Sequence, residues 1–400
     1  MLVVQKFGGS SVADAKKVAR VAGIIADTYC EGHNVVVVLS AQGDTTDDLI
    51  EKALEINPAP SKREMDVLLS TGEQISVALV AMALEKLGLP VVSLTGWQIG
   101  LETNSTYSDA RIKKVSTERL KRELDARRIV LVAGFQGTNK YDDITTLGRG
   151  GSDTTAVAIA SVLHADICQI YTDVEGVYTA DPRRVPDARK LDEITYDDML
   201  ELASLGAQVL HNRSVEMAKR YGVNLEVLSS YVRAPGTKVK EVVKKVEEMK
   251  ISGIAKDLNV ARIAIIGLPD EPGVAFRVFR VMANAKISVD IIIQSMGKNR
   301  TNDISFTVAK KDIEAAHDAI LEYKESIGFD HVDVDQNVAK VSIVGNGMIS
   351  SSGIAAMMFE ALSDAKINIK MISTSEIKIS VLIDEQQADA AVSAIHAKFF

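Results

Sequence analysis

Short apolar runs alternate with helical patterns along the first 230 residues. The runs Leu2 to Val4, VVVVLS (35–40), VVSL (91–94), IVLVAGF (129–135), ICQIYTD (167–173) and LEVLSS (225–230) predict strands. They are apolar on both faces, as strands of a parallel sheet covered on both sides must be. Between them, Val18, Val21, Ala22 and Ile25 follow the i, i+3, i+4, i+7 spacing of a one-faced helix. EQISVALVAMALEKLG predicts another helix, stopped by Gly88 with Pro90 just after. The pattern is that of an α/β domain. At APGTKVKEVVKKVEEMK (234–250) five lysines and three glutamates surround a few valines, which reads as a solvated linker or exposed helix.

Beyond residue 250 the chain repeats itself. GVAFRVFRVMANAKISVDIIIQS (273–295) and GIAAMMFEALSDAKINIKMISTS (353–375) align without gaps at an offset of 80. Each predicts a turn, an amphipathic helix and an alternating strand, and NDISFTVA (302–309) and EIKISVLID (376–384) add a further strand to each. Two β-α-β-β units of this kind predict paired modules sharing a sheet and burying a common face. The pattern alone leaves open whether they bind a ligand or only dimerise.

Composition narrows the function. Hydrophobic residues are 46% and charged residues 25%, the profile of a globular chain of two or three domains. The net charge of 46 − 54 = −8 argues against broad nucleic-acid binding, though not against a small cationic pocket. The two cysteines, Cys30 and Cys168, have no metal-ligand spacing and predict a reducing, cytoplasmic setting. No apolar run approaches a membrane span, and MLVVQKFGG lacks the features of a signal peptide.

The chemistry is concentrated in glycine-rich turns. KFGGSSV (6–12) follows the first strand and is expected to open the first helix, capped by Ser10 or Ser11. Gly8 and Gly9 would let backbone N–H groups approach an anion, beside the charge of Lys6. TTLGRGGSD (145–153) repeats the design, with Arg149 projecting and Ser152 or Asp153 expected to cap the next helix. The plainer alternatives are an ordinary strand-to-helix junction and a surface ion pair between Arg149 and an aspartate. No GxxxxGK[ST] and no GxGxxG after the first strand is present, so these are neither Walker nor Rossmann loops. TDVEGVYTADPRRVP (172–186) offers Thr172, Asp173, Tyr178 and Arg183 to a nucleotide. SAQGDTTD (40–47) closes the second strand with hydroxyls. STGEQIS (70–76) puts Glu73 in a first helical turn, where it would offset the helix dipole, hold an ammonium group or orient Lys6. Two anion-holding turns at strand ends make phosphoryl transfer the economical reading.

Taken in order, KFGGSSV, SAQGDTTD, STGEQIS, GFQG (134–137), TTLGRGGSD and YTDVEGVYTADPR resemble the aspartokinases of the amino acid kinase family, and the C-terminal repeat resembles their tandem ACT modules. The resemblance covers essentially the whole chain. It implies an amino acid kinase-like, mainly parallel sheet with helices on both faces in a catalytic domain at 1–235, and a linker at 236–252. It further implies two α+β, ferredoxin-like ACT modules at 253–330 and 331–400, packed together. The implied reaction is phosphorylation of L-aspartate by ATP, with Mg²⁺ carried by the nucleotide. The product, L-4-aspartyl phosphate, begins lysine, threonine and methionine biosynthesis.

By the same resemblance Lys6 and Asp153 would be catalytic. Lys6, Gly8, Gly9, Ser10, Thr172, Asp173, Tyr178 and Arg183 would meet ATP. Ser40, Thr46, Glu73, Phe135, Arg149 and Ser152 would line the aspartate pocket, with Glu73 at the ammonium and Arg149 at the α-carboxylate. Asp270, Gly273, Val274, Ala275, Gln294, Asn368 and Ile369 would bind an effector, lysine or threonine or both, in a homodimer or larger assembly. Gln208 stands where some members carry a nucleotide-facing lysine, so that contact is not carried over. Some members make a separate regulatory subunit from an internal start, a question raised here by Met249. Two other readings stay open: a kinase of another small carboxylate or carbamate, and an amino acid sensor with an inactive kinase domain.

Overall fold

A computed structural model describes residues 1–205, 209–243, 251–297, 300–345, 348 and 353–400. Gln208, Met249 and most of the NGMISSSG turn of the second repeat therefore lie outside the described residues. The chain forms two compact units. One comprises Met1–Tyr178, Lys190–Ser204 and 209–243, and the other Thr179–Arg189 and 251–400.

The first unit is built on an eight-stranded sheet in the order Glu193–Thr195, Thr237–Lys240, Leu225–Ser229, Ile167–Thr172, Leu2–Phe7, Asn34–Leu39, Ile129–Ala133, Val91–Leu94. All neighbours run parallel except Leu225–Ser229 against Thr237–Lys240. Every strand expected from the apolar runs is present. Val18, Val21, Ala22 and Ile25 are the buried face of the helix Ala15–Cys30, as their spacing predicts. They pack with Val35, Val37, Leu39, Val77, Val80 and Leu84 in one core cluster.

Lys62–Lys86 is long and apolar enough to cross a membrane by composition, but it is two helices meeting at Ser70. Its residues Val77, Val80 and Leu84 belong to that core, and Asp66 and Glu73 are buried along it.

Three expectations are corrected here. The stretch expected as a linker begins with a strand, Thr237–Lys240, whose Thr237 and Val239 are buried while Lys238 is exposed. The period of two in TKVK is too short to stand out among the following lysines. Ser10 and Ser11 cap no helix: they lie in a 3-10 turn, Gly9–Val12, and Asp14 caps Ala15–Cys30 by accepting from the N–H groups of Lys16 and Lys17. Ser152 and Asp153 likewise sit inside the first turn of Gly151–Leu163, whose N-cap is Gly150 at φ 68°.

The first unit also holds a small sheet that the runs did not reveal: Ile112–Val115, Leu101–Thr103, Gln136–Thr138 and Ile144–Thr146. Its strands of three or four residues are too short to show a period.

In the second unit the two repeats form two separate sheets rather than one shared sheet. The first contains Ala261–Pro269, Ile292–Met296, Thr301–Val308 and His331–Asp335, under the helices Val274–Asn284 and Ile313–Glu322. The second contains Val338–Val344, Met371–Thr374, Lys378–Asp384 and, as its fourth strand, Gly253–Asp257. Gly253–Asp257 pairs antiparallel with Val338–Val344, and His331–Asp335 with Ala261–Pro269. The first module is thus inserted between the fourth strand of the second and its remainder. A division at residue 330 cuts no strand but assigns two, Gly253–Asp257 and His331–Asp335, to the wrong modules. Val260, Ile291, Val338, Met371 and Leu382 form a buried cluster spanning both modules, and Lys340 bonds Asp290 at 2.5 Å.

Thr179–Arg189, expected to continue a nucleotide loop, packs with this unit. Ala180 and Val185 enter the core of the second module. Thr179 accepts from the N–H of Ile254 at 2.7 Å through its carbonyl, and its Oγ1 meets His396 Nε2 at 2.9 Å. His396 is buried, which holds its imidazole below its ordinary value, with Asp187 and Arg189 acting in opposite senses. On acidification the unfolded chain takes up this proton before the native one does, so stability falls as pH drops through about 6.5. His396→Gln is expected to show a smaller loss of urea midpoint between about pH 7.5 and 5.5 than the unaltered chain. An equal loss would remove His396 from the acid response.

Candidate active site

Parallel strands end together. The strand Leu2–Phe7 lies between Asn34–Leu39 and Ile167–Thr172, with chain connections leaving in both directions. That is where an α/β sheet opens a crevice at its carboxyl edge. Lys6 is next to last in Leu2–Phe7, Ser40 follows Asn34–Leu39, Gly134 and Phe135 follow Ile129–Ala133, and Thr172 ends Ile167–Thr172 with Asp173 just after. Phe7 stacks on Tyr171 beneath the crevice, with ring centroids 4.5 Å apart.

The turns are joined by close backbone contact. A Cβ on Gly9 would stand 2.5 Å from the carbonyl oxygen of Ala41, and the N–H of Gly43 donates to the carbonyl of Gly9 at 3.0 Å. A Cβ on Gly72 would stand 2.7 Å from that of Ala41. Glu73 then accepts from the N–H of Ala41 through Oε1 at 3.1 Å. KFGG, SAQG and TGE thus meet at Ala41, and Gly9 and Gly72 are there because no side chain fits. A hydroxyl relay joins this turn to the strand Ile167–Thr172. Ser11 Oγ donates to Ser230 Oγ at 2.8 Å, and Ser230 Oγ donates to the carbonyl of Thr172 at 3.2 Å.

Lys6 Nζ lies 2.7 Å from Asp153 Oδ1, with both side chains largely buried. The two atoms are close without hydrogen-bond alignment. Among the readings of Glu73, the one that had it orient Lys6 is overturned, because Asp153 takes that place. Glu73 is 3% exposed, and its Oε2 has no hydrogen-bond partner. Burial pushes its carboxyl up to about 7, against the Ala41 N–H, which favours the anion.

Ser152 is buried against Gly134, where a Cβ would stand 2.6 Å from Ser152 Oγ. Phe135, half-buried, holds φ at 68°, a strained value for an aromatic residue. Its N–H donates to Thr155 Oγ1 at 3.2 Å. Ser10 and Asp173 are exposed, Ser40, Thr46, Thr172 and Tyr178 half-buried. Thr172 Oγ1 donates to Asp173. Arg183 belongs to the second unit, with its guanidinium on Asp181.

Arg149 is exposed and pairs with no carboxylate among the described residues, so the surface ion pair is not what it makes. It lines a cavity of about 430 Å³ with Arg111, His211, Arg213, Asp109 and Glu216. His211 and Arg213 were missed because only the fold brings their helix, Asn212–Tyr221, against the glycine turn. A Cβ on Gly150 would stand 2.2 Å from the His211 ring. Asp66 was missed as well. It is wholly buried and binds Ser108 and Thr146.

In the second unit Asp270 accepts from Asn302 Nδ2 at 2.9 Å. Gly273, at φ 92°, caps the helix Val274–Asn284. The Val274 side chain faces the core, and Ala275 packs at the same core's edge. Gln294 lies on an edge strand, Asn368 is exposed, and Ile369 packs against the second module's core.

Comparison with known proteins agrees with this geometry. Residues 1–229 match the amino acid kinase family, and 263–322 and 341–399 match the ACT domain. An aspartokinase of Mycolicibacterium smegmatis is 51% identical over 403 residues, covering 100% of this chain and 96% of the relative. The structure of E. coli aspartokinase III with aspartate and ADP covers 100% of both chains at 27% identity and a TM-score of 0.85. The same enzyme with lysine and aspartate covers 100% of this chain and 99% of its own at 28% identity and a TM-score of 0.78.

Gly150→Ala is expected to lower turnover on the order of a hundredfold by displacing the His211 ring and the Arg149 turn. Gly32→Ala, at φ 90° with no neighbour within 4 Å, should cost only about 1 kcal/mol of backbone strain and no turnover. Equal turnover in the two variants, with melting followed in parallel, would contradict a packed Gly150.

Proposed function

The chain belongs to the aspartokinases of the amino acid kinase family and phosphorylates aspartate under allosteric control, and we propose that Lys6 and Asp153 form the centre at which the γ-phosphoryl group of ATP passes to the side-chain carboxylate. The observation that carries this reading is the Lys6–Asp153 contact at the end of the first strand. A buried ammonium group held by an unaligned carboxylate is oriented, yet free to turn toward phosphoryl oxygens.

The nucleophile is a carboxylate, ionised at neutral pH, so the reaction needs no general base. The work is alignment of two anions and neutralisation of the charge that develops between them. Lys6 and the turn at Gly8, Gly9 and Ser10 supply positive potential to the phosphoryl group. Mg²⁺ enters as part of MgATP, held by nucleotide oxygens and water. Thr172, Asp173 and Tyr178 take the nucleotide, with Arg183 a further cation along the chain.

Glu73 Oε2, buried and unpartnered, suits the substrate ammonium group. Arg149 suits the α-carboxylate bidentately. Ser40, Thr46, Phe135 and Ser152 complete the pocket. Asp270, Gly273, Val274, Ala275 and Gln294 of one module, with Asn368 and Ile369 of the other, take the effector. A carboxylate at Asp270 suits the side-chain ammonium of lysine. Threonine is the second effector to test. Exposed Phe276, Ile292 and Met296 around the edge strand support a homodimer or larger assembly through these modules. Unpaired Cys30 and Cys168 are in keeping with a cytoplasmic enzyme.

Trapping the acyl phosphate with hydroxylamine should give a hydroxamate that depends on both aspartate and ATP. Lys6→Ala should lower kcat by about 10²–10³-fold in folded protein. Near-normal turnover would exclude Lys6 from the transfer. Because Glu73 must be ionised to hold an ammonium group, kcat/KM for aspartate should fall as pH drops below about 7, the value to which burial raises its carboxyl. Glu73→Gln should raise the aspartate KM and flatten that acid limb. An unchanged limb in this variant would assign the titration elsewhere.

A further inference from the structure

Arg149 stands on a turn that is poorly suited to hold anything still. Gly148 and Gly150 have φ of 74° and 68°, and glycine loses more conformational freedom on ordering than any other residue. A long side chain on such a turn is placed only as well as its backbone is held. Two charges hold it, Asp66 buried and Arg213 half-buried, and neither belongs to the substrate pocket as assigned.

The first is Asp66, 0% exposed, on the helix Lys62–Leu69. It accepts from the N–H of Ser108 at 2.9 Å and from Ser108 Oγ at 3.3 Å. It also accepts from the N–H of Thr146 at 2.9 Å and from Thr146 Oγ1 at 2.7 Å. Four donors match the acceptor capacity of an ionised carboxylate and exceed that of a single amide oxygen. Ser108 holds φ at 67°, an unfavourable conformation that persists only when its surroundings fix it, and Asp66 takes both of its donors.

The second is Arg213. Its Nη1 donates to the carbonyl of Leu147 and its Nη2 to that of Ala110, each at 2.7 Å. The N–H of Ala110 donates to the carbonyl of Thr146 at 2.9 Å. Segments 108–110 and 146–147 are therefore held together by a carboxylate at one end and a guanidinium fork at the other. Arg149 is two residues further along.

We propose that Asp66 and Arg213 are positioning residues that fix the Arg149 turn for capture of the substrate α-carboxylate. This rests on the assignment of Arg149 to that carboxylate. Removing either member leaves the opposite groups buried without partners, and the turn regains the freedom its glycines allow. Loss of position at Arg149 falls on aspartate binding and not on the nucleotide, whose proposed contacts lie on other segments.

The test is steady-state kinetics of the full chain for Asp66→Asn, Arg213→Lys, Thr146→Val and Arg149→Ala, and for Arg149→Ala combined with each of the first two. Arg213→Lys keeps the charge and loses the fork. Thr146→Val removes one hydroxyl donor and no charge, and serves if the charge variants fail to fold. Asp66→Asn and Arg213→Lys should raise the aspartate KM about tenfold or more and leave the ATP KM within about twofold. Thr146→Val should shift it less in the same direction. In the Arg149→Ala background these effects should vanish, because residues acting as a unit are non-additive. A raised aspartate KM in Arg149→Ala, with an unchanged one in folded Asp66→Asn, Arg213→Lys and Thr146→Val, overturns the positioning role alone. Additive effects, or equal rises in both KM values, do the same. An unchanged aspartate KM in Arg149→Ala overturns the assignment of Arg149, and the positioning role falls with it.

Discussion

Hydrogen bonding of the strand Leu2–Phe7 on both sides, parallel to Asn34–Leu39 and to Ile167–Thr172, sets where the chemistry can occur. Three chain segments end side by side, and their continuations must turn within a few ångströms of one another. The glycines follow from that crowding. Gly9 and Gly72 both lie against Ala41 at distances no Cβ tolerates, and Gly134 lies against Ser152 in the same way. The turns proposed to bring backbone near a phosphate are also the turns that pack the site's segments together, so one residue type suits both needs.

Three buried carboxylates of the first unit have different partners, and the roles proposed for them follow from the difference. Asp66 has four donors and no access to solvent, which makes it a structural anchor. Asp153 lies against Lys6, and in the proposed reading it orients the charge that meets the transferring group. Glu73 has one backbone donor and one unpartnered oxygen. Burial pushes its carboxyl up to about 7, only partly offset by the Ala41 N–H, and the open oxygen is the one we propose for the ligand ammonium group.

The second unit solves a separate problem. Each module buries one face of a four-stranded sheet beneath two helices. The two are joined by the exchange of Gly253–Asp257 into the later sheet, by the cluster around Leu382 and by the Lys340–Asp290 bond. Insertion of one module into the other makes their separation costly, which suits a pair that responds as one. Thr179–Arg189, held by Ile254, His396 and Phe400, follows directly on Tyr178.

The amino-acid sequence by itself determined what depends on neighbours in the chain. Apolar runs marked the central strands, a 3.6-residue period marked the buried face of Ala15–Cys30, and the offset of 80 marked the two modules. The ordered glycine motifs marked the family. Only the tertiary structure decided the pairings made across long separations. It gave Lys6 to Asp153 and not to Glu73, drew Thr237–Lys240 out of an apparent linker into the sheet, and sent Gly253–Asp257 to the module that follows it in the chain by some eighty residues. Asp66, His211 and Arg213 carried no local signal, because a buried charge is recognised by its partners and those lie as many as 103 residues away. Periodicity reports which face of an element is buried; it is silent on what that face meets.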